Sequence, residues 1–320
     1  MIKYRRLLES SRAFRLFLGD LSWDTLGHSY LLVSADQSAL LELVKLMSAA
    51  LHCESDKKPC LDCRECRRYE ELSGGNVLLY PKGDRIRKDD VLDLLKNISY
   101  KSFEHGSKVA ILRGADRMDA NTQNKLLKTL EEPPEGVVFF LLAASAEKLL
   151  PTVRSRVRML ELELFPREEV YRELASELGE SERLRRACDS AGGRPGLAEH
   201  FYFDPEFERT LAFSEELLES LRTERDFVKF SSRFEEIKGN YELFLDLLQM
   251  ALRDGMTQGL AEPLGSFSGL PEVPPERLAE GIEYLNLCKK KILSNCNAGA
   301  AYQMLLVRLL EIIGGKTCPK

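Results

Sequence analysis

Short apolar segments alternate with helical patterns through the first half of the chain, and this alternation restricts the fold more than any other feature. Apolar segments without polar alternation are typical of strands buried on both faces, as in parallel sheets. Between them, residues 39–51 repeat apolar side chains at helical spacing, and Asp89 and Asn121 are each placed to cap a further helix. The predicted strands are SYLLV (29–33), NVLLY (76–80), KVAILRG (108–114) and GVVFFLLAAS (136–145). We therefore predict an α/β domain with a parallel sheet covered by helices on both sides.

The pattern changes after Leu164, beyond which only helical periodicity remains. Pro166 stands near the start of the next helix, and the sequence AGGRPG (191–196) separates two short helices. Residues 256–275, which contain glycines and prolines, are interpreted as a long loop. A chain of 320 residues is expected to hold two or three domains. We predict three, spanning residues 1–164, 165–205 and 206–320, of which the last two are all-helical.

Composition and charge limit the class of function. The chain carries 46 basic and 51 acidic side chains, and its net charge of −5 argues against tight autonomous binding of duplex DNA. The basic segment 82–88 is interpreted as a solvated loop for the same reason. The longest apolar run, residues 137–144, is far shorter than the roughly 20 residues that span a bilayer, and the N-terminus lacks the pattern of a secretory signal. We expect a cytoplasmic protein with no membrane partner.

Four of the eight cysteines fall within fourteen residues, in the pattern C-x6-C-x2-C-x2-C. In a reducing compartment, clustered thiols are metal ligands more often than disulfides. Four thiolates complete the tetrahedral coordination of a structural Zn²⁺ ion and leave no open position for catalysis. The alternatives are an iron–sulfur cluster and a set of unrelated thiols. The predicted zinc ligands, in a module at about residues 50–70, are Cys53, Cys60, Cys63 and Cys66.

The first predicted strand is followed by no phosphate-binding sequence. A P-loop reads GxxxxGK[ST] at this junction, where backbone amides surround the phosphates and the lysine opposes their charge. Here the segment is SADQSAL (34–40), without glycine or lysine. The sequence GKT (315–317) lacks the first P-loop glycine and is interpreted as a chain end. We expect no ATP binding, the degenerate positions being Ser34, Ala35, Asp36, Gln37 and Ser38.

The end of the strand KVAILRG also lacks residues that a P-loop ATPase needs. Such an ATPase carries acidic residues here, which hold Mg²⁺ and orient water. In this chain Arg113 and Gly114 occupy those positions. Asp116, slightly further on, is interpreted as a turn or helix-capping residue.

These segments together resemble the AAA+ clamp-loader subunits of bacterial DNA polymerase III. The resemblance covers roughly residues 20–200. It rests on HSYLLV (28–33), the four-cysteine module, AGGRPG (191–196), and above all NTQNKLLKTLEEPPEGVVFFLLAAS (121–145) with LLPTVRSR (149–156). It implies an AAA+ domain with a zinc insertion, a helical lid and a helical collar that joins other subunits.

The departures from the family pattern separate two of its branches. Gamma/tau subunits hydrolyse ATP, whereas delta-prime subunits generally lack a working nucleotide site. This chain lacks the P-loop and the acidic pair, and Gly196 occupies the lid position where the ATPases carry an arginine, with Arg194 two residues away. These losses resemble delta-prime.

Ser155 and Arg156 match the serine–arginine–cysteine motif of the family, with Val157 in place of the cysteine. The resemblance implies that Arg156 reaches the ATP of a neighbouring subunit as an arginine finger in trans. From the residues alone, a solvated basic edge is an open alternative.

The resemblance implies a non-hydrolysing, delta-prime-like subunit that assembles with gamma/tau and delta subunits. Such a subunit helps to load the sliding clamp on primer–template DNA in replication and reaches both through the complex. It is not an enzyme by itself, because the DNA polymerase activity of the holoenzyme resides in another subunit. Two alternatives stay open: a divergent gamma/tau-like ATPase, and a zinc-containing AAA+-derived interaction protein outside replication.

Overall fold

In a computed structural model the chain divides into two compact units, Met1–Phe165 and Pro166–Lys320. The division falls beside the boundary expected after Leu164, and a further division of the helical part near residue 205 stays a prediction. The residues described are 2–23, 25–73, 76–83, 86–99, 107–257, 273–293 and 297–314. The sequence GKT (315–317), most of the expected loop 256–275, and residues 84 and 85 of the basic segment lie outside them.

The first unit is built around a five-stranded sheet of order β2-β3-β4-β1-β5, in which every neighbouring pair is parallel. In register, Leu31 of β1 lies opposite Leu141 of β4 and Met159 of β5. The strands are β1 Ser29–Val33, β2 Val77–Tyr80, β3 Lys108–Arg113, β4 Val137–Ala143 and β5 Arg158–Glu161. The helices are α1 Arg5–Ser10, α2 Arg12–Ser22, α3 Gln37–His52, α4 Arg64–Glu70, α5 Lys88–Ser99, α6 Ala120–Glu131 and α7 Pro151–Arg154.

Helices cover both faces of this sheet. On one face, Phe139 and Leu141 of β4 share a buried core with Leu94 of α5 and Leu126 of α6. On the other face, the rings of Tyr30 and Phe140 pack against Phe17 of α2, with ring centroids 5.3 and 6.0 Å apart. Because successive side chains of a strand point to opposite faces, continuous apolar strands are what such a sheet requires.

A polar link fastens β5 to α2 beneath this layer. The Tyr30 hydroxyl donates to Asp20 Oδ2 at 3.0 Å, and Arg158, the first residue of β5, forms an ion pair with Asp20 Oδ1 at 2.7 Å. Burial, together with the Asp20 carboxylate, raises the pKa of Tyr30 above its ordinary value. The start of β5 is therefore held both by its pairing with β1 and by a charged contact.

Two helix starts differ from the sequence expectation. The cap of α6 is Asp119, whose carboxylate accepts from the Thr122 amide at 2.7 Å, so Asn121 lies inside the helix instead of capping it. In α5, which begins at Lys88, Asp89 lies within the first turn. Both errors are small because Asp and Asn favour the cap and the first turn alike.

The second unit consists of helices, and its core is rich in aromatic side chains. The rings of Phe213, Phe230, Phe244 and Tyr302 lie within about 6 Å of one another along a chain of contacts, and the Tyr302 hydroxyl donates to the Phe230 carbonyl at 2.9 Å. Its helices are α8 Arg167–Leu178, α9 Glu182–Ala191, α10 Pro195–Phe203, α11 Phe207–Ser220, α12 Glu224–Ser231, α13 Tyr241–Thr257, α14 Pro275–Leu293 and α15 Ala298–Ile313. The expected fold class, a parallel α/β domain followed by helices, is confirmed. Within the described residues, no helix combines the length and apolar character needed to cross a membrane.

Candidate functional site

The four predicted cysteine ligands come together at the end of α3. Cys53 directly follows α3 and is buried, while Cys63 precedes α4 as its N-cap and Cys66 lies buried within α4. Cys60 lies in the connecting segment between the helices. The four sulfur atoms all lie within 4.8 Å of one another. The sequence prediction of one cysteine cluster is therefore confirmed.

Backbone amides of the cluster point at its sulfur atoms. The amide of Cys60 donates to Cys53 Sγ at 3.3 Å, that of Cys63 to Cys60 Sγ at 3.4 Å, and that of Cys66 to Cys63 Sγ at 3.4 Å. Hydrogen bonds from the amides of Asp62 and Cys63 lower the pKa of the Cys60 thiol to about 6. Burial raises the pKa of the Cys66 thiol above its ordinary value. Amides directed at sulfur favour the thiolate, which is the form that binds metal.

The donor set fits a tetrahedral metal ion. Zn–S bonds of about 2.3 Å place sulfurs at tetrahedral corners about 3.8 Å apart. Cys60 Sγ and Cys66 Sγ lie 3.9 Å apart, near that spacing. Four soft thiolates suit zinc better than magnesium or calcium, which prefer oxygen ligands. The cluster could hold one metal ion, and it offers that ion no fifth protein ligand among the described residues.

At the β1–α3 junction, the polar groups bond to one another. The Ser34 amide donates to the Ala143 carbonyl at 3.1 Å, and the Ser34 hydroxyl accepts from the Asp36 amide at 3.2 Å. The Asp36 carboxylate caps α3 by accepting from the Ala39 amide at 3.0 Å, and Gln37 Nε2 donates to the Ser34 carbonyl at 2.7 Å. The junction thus forms a closed turn where a P-loop would surround phosphates.

The end of β3 carries arginine where acidic residues were considered. Arg113 closes the strand, and Gly114 follows it in the left-handed conformation, with φ of +68°. Asp116 accepts from the Ala144 amide at 3.2 Å and forms an ion pair with Lys148 at 3.5 Å. These partners tie the turn after β3 to the end of β4, in line with the interpretation of Asp116 as a turn residue.

Ser155 and Arg156 lie together just after α7. Arg156 Nε donates to Glu131 Oε1 at 2.5 Å, Nη2 contacts the same carboxylate, and Nη1 donates to the Thr152 carbonyl at 2.8 Å and to Ser155 Oγ at 3.2 Å. The Arg156 side chain is 32% exposed, so it stays accessible from solvent. Glu131 is the last residue of α6, and the sequence analysis did not single it out.

Gln123 positions the segment that leads to Arg156, and sequence reasoning missed it. Its side chain is 2% exposed. Its Nε2 donates to the carbonyls of Met118 and Lys148 at 3.0 and 3.3 Å, and its Oε1 accepts from the Leu150 amide at 2.7 Å. One side chain thereby fixes α6 to the segments on either side of it. Only its place on the buried stripe of α6 could have indicated such a role.

In the second unit, Arg194 and Gly196 lie at the start of α10. Arg194 Nε donates to the Ala191 carbonyl at 2.9 Å, and its guanidinium contacts the sulfur of Met250. Gly196 is buried. Arg194 is therefore engaged within its own unit.

Comparisons with known proteins found a matching family model and several similar proteins. Residues 9–166 match the family model described as DNA polymerase III, delta subunit. The chain is 32% identical over 151 residues to the DNA polymerase III subunit delta' of Bacillus subtilis, covering 47% of this chain and 46% of that protein. It is 34% identical over 184 residues to subunit delta' of Haemophilus influenzae, with 54% of each covered.

Subunit tau of Escherichia coli is also similar, with 30% identity over 162 residues, which are 50% of this chain and 25% of that protein. Among solved structures, a gamma subunit-related protein of Thermotoga maritima aligns over 96% of this chain and 97% of its own, with 20% identity and a TM-score of 0.43. The chain matches about half the length of the delta' relatives and a quarter of tau. Over residues 9–166, which contain the parallel sheet, the chain is therefore similar to DNA polymerase III subunits of the delta', gamma and tau kinds.

Proposed function

We propose that the chain is a delta-prime-type clamp-loader subunit that does not hydrolyse ATP. The β1–α3 junction supports this, since its polar groups are used within the turn and it supplies neither lysine nor glycine. Arg113 at the end of β3 gives further support, because a guanidinium cannot coordinate the Mg²⁺ that accompanies ATP. A site without these groups has nothing to stabilise a transferred phosphoryl group.

Arg156 is the residue through which such a subunit would act. An arginine supplied across a subunit boundary neutralises charge that develops on the γ-phosphoryl oxygens, an effect worth about 10³–10⁵ in rate. Arg156 lies after a short helix, is partly exposed, and has Ser155 Oγ as a neighbouring acceptor. To reach a neighbour's phosphate, its guanidinium has to exchange the Glu131 carboxylate for the phosphate oxygens. This exposed pair of basic and acidic groups is the single observation that carries the proposed role.

In this proposal, the partners are the gamma/tau and delta subunits, and the sliding clamp and primer–template DNA are reached through the assembled complex in the cytoplasm. The net charge of −5 is consistent with indirect contact with DNA. The cysteine cluster would hold a structural Zn²⁺ ion through Cys53, Cys60, Cys63 and Cys66. The ion would fix the segment between α3 and α4, where the charged sequence offers little apolar material.

The test is reconstitution of the complex with the ATPase subunits and the Arg156→Ala variant. We expect ATP hydrolysis stimulated by clamp and DNA to fall by the whole contribution of the adjacent site, while assembly is retained. Arg154→Ala is the matched control, because Arg154 is exposed and lies two residues away. Equal rates for the Arg156→Ala and wild-type complexes would refute the finger role of Arg156. The proposal that the chain does not hydrolyse ATP would be refuted if the isolated chain turned ATP over and lost this activity on mutation within residues 34–40.

A further inference from the structure

The four cysteines of the cluster divide into a buried pair and a half-buried pair. Cys53 and Cys66 are 2% and 0% exposed, whereas Cys60 and Cys63 are both half-buried. The reactivity of a cysteine toward oxidants depends on its thiolate character and on access from solvent. A reagent dissolved in water therefore meets the cluster from the side of Cys60 and Cys63.

The buried pair is held by packing that does not involve a metal. Cys53 directly follows α3, and Cys66 lies within α4, where its Sγ is 3.7 Å from the Ala49 carbonyl oxygen. Beside them, the rings of His52 and Tyr69 stack with centroids 4.0 Å apart and join the end of α3 to α4. These contacts keep the two helices together, so Cys53 and Cys66 have little freedom to move.

The half-buried pair lies on a short turn. Cys60 belongs to the segment between α3 and α4, and Cys63 is the N-cap of α4. Between them, Leu61 has φ of +56°, in the left-handed region that residues other than glycine rarely adopt. The turn directs the Cys63 amide at Cys60 Sγ, at 3.4 Å. Of the four cluster thiols, Cys60 is therefore the one least tied to a helix.

A second thiol lies close to Cys60. Cys60 Sγ and Cys66 Sγ are 3.9 Å apart, whereas the two sulfurs of a disulfide are about 2.05 Å apart. A movement of the Cys60 turn by roughly the difference between these distances closes the gap while Cys66 stays in α4. The arrangement places a thiol that solvent can reach next to a buried thiol with which it can pair.

We propose that Cys60 is a modification site at which a peroxide-class oxidant opens the metal site. The Cys60 thiolate attacks one peroxide oxygen, so that an S–O bond forms, the O–O bond breaks, and hydroxide leaves and takes up a proton. The Cys66 thiolate then attacks the sulfur of this sulfenic acid, so that the S–S bond forms, the S–O bond breaks and a second hydroxide leaves as water. Each sulfur gives up one electron, and the peroxide takes both. The disulfide removes two of the four ligands, and the metal ion is released.

The inference rests on the proposed occupancy of the cluster by zinc and goes beyond it, because it assigns different roles to the four ligands. It does not depend on the finger role of Arg156. Since the stacking of His52 on Tyr69 does not involve the metal, oxidation loosens only the segment between α3 and α4. A thiol reductant with added zinc restores the site.

The test is exposure of the full, zinc-loaded chain to hydrogen peroxide, after its zinc content has been measured. Released zinc is followed with a chromogenic chelator, and disulfides are located by alkylation and mass spectrometry. We expect loss of the bound zinc together with a Cys60–Cys66 disulfide, while Cys188 and Cys288, both buried, stay reduced. Dithiothreitol with added zinc should reverse both changes, and the far-ultraviolet circular dichroism of the chain should be retained throughout.

Two ligand exchanges separate Cys60 from its half-buried neighbour. Cys60→His keeps a four-ligand site, since three cysteines and one histidine also bind zinc, but removes the thiol that peroxide attacks. We expect this variant to retain its zinc under peroxide that empties the wild type. Cys63→His is the matched control, because it leaves Cys60 and Cys66 in place, and it should lose zinc as the wild type does. If Cys60→His binds no zinc, the location of the wild-type disulfide still decides the question.

Four results would overturn the inference: zinc leaves while Cys60 stays reduced, the disulfide joins a pair without Cys60, zinc is retained at millimolar peroxide, or Cys60→His and Cys63→His release zinc equally fast. A chain that binds no zinc would refute the proposed metal and this inference together. Zinc release through other thiols would refute this inference alone.

Discussion

Arg156 is paired with Glu131 in the structure, and in the proposed finger role it would have to exchange this carboxylate for a phosphate. The carboxylate contacts both Nε and Nη2, so most of the donor fork faces the chain's own α6. Glu131 is 47% exposed, and ion pairs in such settings contribute about 0.5–1 kcal/mol. This energy is small compared with the interaction energy between an arginine and a phosphate. The ion pair with Glu131 would therefore not prevent Arg156 from binding a phosphate.

Glu131→Gln tests this competition in the reconstituted complex. Because the amide holds the guanidinium more weakly, we expect ATP hydrolysis at the adjacent site to rise about two- to fivefold, the rate equivalent of 0.5–1 kcal/mol. Glu132→Gln, at the exposed next position, is the control and should change nothing. A steep fall in hydrolysis with Glu131→Gln would show instead that the carboxylate orients the arginine for the reaction.

At the scale of elements, Gln123 connects α6 to the turn after β3 and to the segment before α7. Gln123→Leu removes the hydrogen-bond partner of two carbonyl groups and one amide, at a buried position. We expect a loss of about 2–4 kcal/mol in the free energy of unfolding, measured by urea denaturation at constant m value. Asn124→Leu, on the exposed side of the same helix, should lose far less. Equal losses would show that the hydrogen bonds of Gln123 contribute little.

The segment between α3 and α4 is the second element to test, through its metal. We expect one zinc ion per chain by elemental analysis, loss of that ion in Cys60→Ser, and retention in Cys188→Ala, which removes a buried thiol of the second unit. Acidification from pH 8 to 6 should weaken metal binding, because the pKa of Cys66 is raised and metal has to displace its proton. Full zinc content in Cys60→Ser would contradict a four-thiolate site.

The sequence predicts most elements of the sheet domain and fails where local pattern is weak. Strands β1 to β4 each contain a continuous apolar segment, whereas in β5 only Leu160 is buried, so this edge strand has no detectable pattern. The cysteine cluster was predictable because the thiols are close in sequence. The contacts of Glu131 and Gln123 were not, because each joins groups about 25 residues apart.

At the scale of the whole molecule, two units with separate cores follow each other along the chain. The match to the family model ends at residue 166, beside the division at Phe165. The lid and collar roles of the helical part are proposals. In these proposed roles, exposed side chains of the helical part would contact other subunits.

A fragment that ends at Phe165 tests the independence of the first unit. It contains the sheet, the cysteine cluster and Arg156, and its core is formed by its own residues. We expect cooperative thermal unfolding, the far-ultraviolet circular dichroism of a folded α/β protein, and one bound zinc ion. A fragment that is unfolded with metal present would show that the second unit is needed for stability. The full chain, measured beside it, is the control.

The anchoring of the segment around Arg156 has a consequence for assembly. Gln123 holds it at Leu150, and the Asp20 ion pair holds it at Arg158, with both distances at 2.7 Å. With its base fixed at both ends, Arg156 can search for a ligand only by rotating its own side chain, whose ordering costs about 2 kcal/mol at most. A phosphate could then be displaced from its ideal position by no more than about the length of one arginine side chain and still be bound. If the chain assembles with other subunits as proposed, a neighbouring subunit would have to bind in the correct register, because the segment around Arg156 cannot move to follow a displaced one.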